Sequence, residues 1–206
     1  MRFNADSPGP VEKVKKKGTV KYLIAGLGNV GVEYANTRHN VGFVAADALV
    51  GDLRGEWKVD RLASVSSVKY KGRTLVVIKP TTYMNLSGKA VKYWLEKEKI
   101  PLERLLVVVD DIALPPGTLR MKARGGDAGH NGLTDTILKL NTDQFPRLRI
   151  GIGDDFAPGF QSEYVLGEWS KKEVELMIPR IEQAVEMIKS FVTLGIGPTM
   201  TAFNNK

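Results

Sequence analysis

The sequence predicts a single α/β domain: a twisted, mixed but largely parallel β-sheet flanked by helices. Three observations predict it. Short apolar runs alternate with segments of helical period from Val20 to the C-terminus. No Pro-, Gly- or Ser-rich linker divides them. The chain of 206 residues suits one domain and can bury a core without a disulfide or metal staple.

The elements follow in order. Residues 20–27 (VKYLIAGL) read as a buried strand that closes on glycine. After Thr37, which is placed to cap it, a helical segment sets Val41, Val44, Ala45, Ala48 and Leu49 on one face. Residues 62–70 and 73–79 form two strands joined at Lys71-Gly72. A helix from Leu86 to Lys99 buries Val91, Trp94 and Leu95 and is stopped by Pro101. Leu105–Val109 is the most apolar strand and ends at Asp110-Asp111. The turn Leu114-Pro-Pro-Gly117 leads to a short strand over 118–123, a helix over 130–140 and a strand over 147–152. Ser170-Lys-Lys-Glu173 is a capping box for the last long helix. Its inward face should be Val174, Met177, Ile178, Ile181, Val185, Ile188 and Val192, with a kink or restart at Pro179.

Composition excludes several chemistries. Cysteine is absent, which removes disulfides, cysteine-ligated zinc, Fe–S clusters and a thiol nucleophile. Two histidines, His39 and His130, are too few for a His-rich metal site. The net charge is +7, but +4 of it lies within residues 1–21. Residues 1–19 are polar, broken by Pro and Gly, and lack the apolar stretch of a signal peptide. They are expected to be a disordered basic extension to a domain over 20–206. With no apolar run of 18 residues, a soluble cytoplasmic protein without a membrane partner is expected.

In an open α/β sheet, ligands bind beyond the C-terminal strand ends. Polar groups crowd four loops there: Gly26-Leu-Gly-Asn-Val-Gly31 with Thr37-Arg-His-Asn40, the Lys79–Gly88 segment, Asp110-Asp111, and Gly125–Gly132. Gly26, Gly28 and Gly31 match the dinucleotide fingerprint. The polar segment after Gly31 is a poor helix start, and Asp47 and Asp52 fall in or after a helix rather than at a strand end. A nicotinamide oxidoreductase is therefore a distant alternative. His39, at a helix start, is favoured as neutral imidazole, the form of a general base. Asp110 can hold one of its ring nitrogens. No Gly-x-Ser-x-Gly elbow is present, so the pair points to activated water. Asn29, Asn85 and Asn131 can donate to a carbonyl or developing oxyanion. Asp110-Asp111, with Asp127, is a weaker alternative as a Mg²⁺ site.

The segments GLGNVGVEYANTRHNVGF, KPTTYMNLSGKAV, VDDIALPPGTLR, GGDAGHNGL and RLRIGIG, in that order, resemble the bacterial-type peptidyl-tRNA hydrolases. The resemblance runs from about residue 20 to the C-terminus. It implies hydrolysis of the ester between a peptide and the 3′ end of tRNA, with no metal or other cofactor. A monomer without an obligate protein partner is expected. It places the general base at His39, its orienting carboxylate at Asp110, and discrimination of peptidyl from free aminoacyl groups at Asn29. Tyr34, Tyr83, Asn85 and Asn131 match positions that contact the peptide or tRNA end, and Met84 walls the same groove. Arg120 and Lys122 match positions that hold a tRNA phosphate. Arg124, Arg147 and Arg149 extend that basic strip, and Arg149 is counted with the tRNA-binding residues. The departure is Val30, where the family usually has proline. A non-catalytic RNA-binding relative on the same scaffold, as in splicing factors of plant organelles, is the alternative.

Overall fold

The computed structural model describes residues 19–204, so most of the expected extension over 1–19 lies outside the described residues. Strand β1 (Lys21–Gly26) leads into helix α1 (Val41–Asp52) through two short 3-10 turns. Strands β2 (Lys58–Asp60), β3 (Ala63–Tyr70) and β4 (Arg73–Pro80) follow, then α2 (Ser87–Glu98) and β5 (Leu105–Asp111). Strand β6 (Leu119–Lys122), α3 (Asn131–Leu140) and β7 (Arg147–Gly151) precede α4 (Gln161–Val165), α5 (Lys171–Leu194) and α6 (Ile196–Phe203).

The seven strands form one sheet in the order β2-β3-β4-β1-β5-β7-β6. Its centre, β4-β1-β5-β7, is parallel, and both edges are antiparallel. The mixed, largely parallel sheet expected from sequence is the one observed. β5 is buried along its whole length, as its unbroken apolar run demands. Ile24, Leu106 and Val108 face α1 and α5 on one side, where Ala45, Leu49, Ile181 and Ile188 cover them. Leu23, Val107 and Val109 face the opposite layer, which contains Val91, Trp94 and Leu133.

Several local expectations are corrected. Thr37 does not cap α1. Its hydroxyl donates to the Tyr34 carbonyl, and Asn40 occupies the N-cap position. Val44, Val174 and Ile178 are exposed rather than buried, because the sheet covers only part of each helix's apolar stripe. Pro179 does not restart α5, whose helical assignment runs unbroken from Lys171 to Leu194 behind the expected capping box. β2, α4 and α6 were not foreseen. β2 is a three-residue edge strand, too short to show an alternating pattern.

The glycines of the first loop serve packing. A Cβ on Gly26 would stand 2.2 Å from the Gly42 carbonyl oxygen, and one on Gly42 would stand 2.5 Å from that of Val108. Glycine at both positions lets the start of α1 ride directly on the ends of β1 and β5. That contact delivers the residues just before α1 to the end of β5.

Candidate active site

The C-terminal ends of β1 and β5, the N-terminus of α3 and the α4 segment enclose a cleft of about 420 Å³. Asn29, His39, Met84, Asn85, Asp110, Asn131 and Arg149, all singled out from sequence, line it. Tyr34, Tyr83, Arg120 and Lys122 do not line it.

His39 sits on a 3-10 turn (Arg38–Asn40) that opens α1, and it is buried. Its Nδ1 lies 2.9 and 3.0 Å from the two carboxylate oxygens of Asp110, 71 residues away in sequence. His130, given no catalytic role by the sequence, completes the group: its Nε2 lies 3.0 Å from Asp110 Oδ1. Burial alone would raise the Asp110 pKa. The two imidazoles outweigh it and hold the carboxyl well below the usual carboxylate range.

The protons can therefore be placed. An ionised Asp110 only accepts, so His39 Nδ1 and His130 Nε2 both carry hydrogen. The other nitrogen of His130, Nδ1, accepts from the backbone N–H groups of Gly132 (3.1 Å) and Leu133 (3.2 Å), capping α3. Protonating His130 would break that cap, so its tautomer is fixed. His39 Nε2 has no hydrogen-bond partner among the described residues and keeps its lone pair for the cleft. Only the fold could reveal the double use of His130. The one sequence signal was its place at the first position of the helix expected over 130–140, where the structure makes it the N-cap instead.

Among the described residues, His39, Asp110 and His130 are the group whose ligand atoms, within 4.8 Å of one another, could meet one metal ion. Hydrogen-bonded protons already fill that space. For a metal to take His130 Nε2, a proton would have to move to Nδ1, where two N–H groups already point. The donor set suits protons better than a metal. The alternative Mg²⁺ grouping does not assemble: Asp111 is paired with Arg149, and Asp127 accepts from Gly129 N–H and the Thr134 hydroxyl.

Asn29 is positioned with equal care. Its backbone exchanges hydrogen bonds with the Asn40 side chain, at 2.8 Å from Asn29 N–H and 3.0 Å to its carbonyl. Its own Oδ1 accepts the Met84 N–H at 2.7 Å. The amide is thereby polarised, with oxygen on Met84 and Nδ2 left as a donor. Asn40 was missed from sequence, where it is only one more polar residue in the TRHN segment. Asn85 and Asn131 are exposed at the rim, beside α2 and at the start of α3.

The basic residues divide. Arg120 and Lys122 are exposed on edge strand β6 and alternate with buried Leu119 and Met121. Arg120 is in register with Arg149 of β7, so the two lie on the same face, one at the rim and one in the cleft. Arg147 does not belong to the strip: it is buried, and its guanidinium donates to carbonyls of Gly126 at 3.0 Å and Asp143 at 2.7 Å. That bracing shapes the glycine loop below His130.

Comparison with known proteins bears on what this site does. The sequence profile of the family described as peptidyl-tRNA hydrolase matches residues 23–206. The chain belongs to the peptidyl-tRNA hydrolase family. It is 52% identical over 187 residues to the peptidyl-tRNA hydrolase of Parabacteroides distasonis, covering 91% of this chain and 100% of that one. With that of Phocaeicola vulgatus the identity is 50% over the same span. The crystal structure of the Acinetobacter baumannii peptidyl-tRNA hydrolase superposes with a TM-score of 0.85 at 34% identity, covering 92% of this chain and 97% of that one. Family, relatives and fold support ester-bond hydrolysis, as the five ordered motifs implied. The non-catalytic and nicotinamide alternatives find no support. No described helix is long and apolar enough to cross a membrane.

Proposed function

We propose that this chain cleaves the ester between a peptide and the 3′ end of tRNA, using water activated by His39. The observation that carries the mechanism is the 2.9 Å hydrogen bond from His39 Nδ1 to ionised Asp110, which turns the Nε2 lone pair to the cleft. Water loses a proton to Nε2 as its oxygen adds to the ester carbonyl. The tetrahedral intermediate collapses, and the ribose oxygen leaves with the proton returned from His39. Products are a free peptide carboxyl and a tRNA 3′ hydroxyl. Asp110 stabilises the imidazolium formed between these steps. Asn29 Nδ2 donates to the carbonyl oxygen as charge develops on it.

The substrate's two halves meet different walls. Met84, Val109, Leu133, Val165 and Leu166 supply apolar surface for the peptide side, and Asn85 and Asn131 supply amides at the rim. Arg120 and Lys122 meet tRNA phosphate outside the cleft, where a screened electrostatic contact suffices. Tyr34 and Tyr83 flank the entrance loops, and Tyr83 is 57% exposed, which suits stacking on a terminal base. Arg149 reaches the cleft while paired with Asp111. The chain acts as a cytoplasmic monomer without a metal or other cofactor.

The test is hydrolysis of an N-blocked aminoacyl-tRNA by the purified chain, with the unblocked aminoacyl-tRNA as comparison. Release of tRNA from the blocked substrate, with little from the other, is expected. No release from either would refute the function.

A further inference from the structure

Arg38 stands beside the base, and nothing in the mechanism above uses it. Its guanidinium is committed on every side. Nε and Nη2 donate to the two carboxylate oxygens of Glu173 at 2.9 and 3.0 Å, and Nη1 donates to the Tyr164 carbonyl at 3.2 Å. The same group lies 4.5 Å from the Tyr164 ring centroid and 5.7 Å from that of Trp169. With its side chain 13% exposed, this cation is spent inside the fold rather than offered to phosphate.

The backbone makes the same connection. Arg38 N–H donates to the Gly167 carbonyl at 3.0 Å, Thr37 and Glu168 form an antiparallel bridge, and Trp169 N–H donates to Asn36 at 3.3 Å. A Cβ on Gly167 would stand 2.9 Å from Arg38 Nη1. Glu173 is itself fixed: its Oε2 accepts the Ser170 N–H at 2.7 Å in the capping box of α5. Thus the turn that carries His39 is riveted to the segment from α4 to α5. That segment presents Gln161, Ser162, Val165 and Leu166 to the cleft.

We infer that Arg38 is a positioning residue: its bidentate pair with Glu173 sets the His39 turn against the α4 wall, so that the base and the substrate-facing wall hold one mutual geometry. The inference rests on the proposed role of His39 as base. A forked guanidinium–carboxylate contact fixes orientation as well as distance, and lysine, a single-point donor, does not reproduce it. A displacement near 1 Å at a reacting group can cost up to about 10²-fold in rate.

The test uses the full chain with Arg38→Lys and, separately, Glu173→Gln, which keeps an acceptor for Ser170. The readouts are kcat and KM on N-blocked aminoacyl-tRNA, taken well below each variant's Tm, and the imidazole NMR resonances of His39. We expect kcat to fall about 10- to 100-fold in both variants with KM changed by less than about threefold, and the His39 resonances to move. A loss confined to KM, kcat within about twofold of wild type, or unmoved His39 resonances would overturn the inference. If the wild-type chain hydrolyses nothing, the proposed function has failed. The resonances then decide the positioning role alone: moved supports it, unmoved refutes it.

Discussion

The floor of the cleft and its basic rim are built on opposite principles. At the floor, His39, Asp110, His130, Asn29 and Asn40 are each buried, and each is tied by hydrogen bonds of 2.7–3.2 Å. At the rim, Arg120 and Lys122 stand exposed on an edge strand. Chemistry at one carbonyl needs groups fixed before substrate arrives, because reorganisation during reaction is what preorganised dipoles avoid. Grip on a polyanion needs only charge at roughly the right place, since counterion release rather than geometry supplies most of the affinity. Floor substitutions should therefore act on kcat, and rim substitutions on KM and its salt dependence.

The largest effect among the supporting groups belongs to Asp110. Asp110→Asn leaves an amide that no longer demands a hydrogen on His39 Nδ1, and kcat should fall roughly 10²–10⁴-fold. The same residue ties the floor to acid stability. Its folded pKa is depressed, so its stabilisation is present above the unfolded value near pH 4 and is lost as pH falls below that toward the folded value. Acid titration monitored by circular dichroism should show a shallower loss for Asp110→Asn. An unchanged profile would mean the carboxylate is not held by the two imidazoles.

Asn29→Asp comes next. Aspartate still accepts from Met84 N–H but has no Nδ2 to donate, so kcat should drop about 10²–10³-fold with Tm nearly kept. Equal loss of Tm and activity would mark Asn29 as a loop brace only. His130→Ala removes one donor to Asp110 and the α3 cap together. It should cost about 0.5–2 kcal/mol of stability, read by urea denaturation, and about tenfold in kcat. Lys122→Ala is the mildest. It should leave kcat intact, weaken different tRNAs alike and flatten the slope of log K against log salt by about 0.7–0.9. A kcat effect there would erase the contrast between floor and rim.

How much of this was legible in the sequence follows from where the information lies. The apolar run 105–109 and the paired strands around Lys71-Gly72 carry their own pattern, and the structure repeats them almost to the residue. His39, Asp110 and Asn29 were legible because few titratable or amide side chains crowd strand ends without cause. Three things were not. The sequence period shows that α5 has an apolar face but not how far a neighbour covers it, so Val174 and Ile178 were placed inside. The charge pattern could not separate Arg147, folded inward onto carbonyls, from Arg120, which faces out. The second partner of Asp110 and the amide clamp from Asn40 depend on how irregular loops fold back on themselves, and such loops carry no periodic pattern in the sequence.

In the proposed mechanism His39 Nε2, oriented through Asp110, takes the proton from the attacking water. His39→Ala tests it most directly, with single-turnover hydrolysis of N-blocked aminoacyl-tRNA measured alongside tRNA affinity and Tm. Turnover should be abolished while affinity and Tm stay close to wild type. Turnover retained in that variant would contradict it.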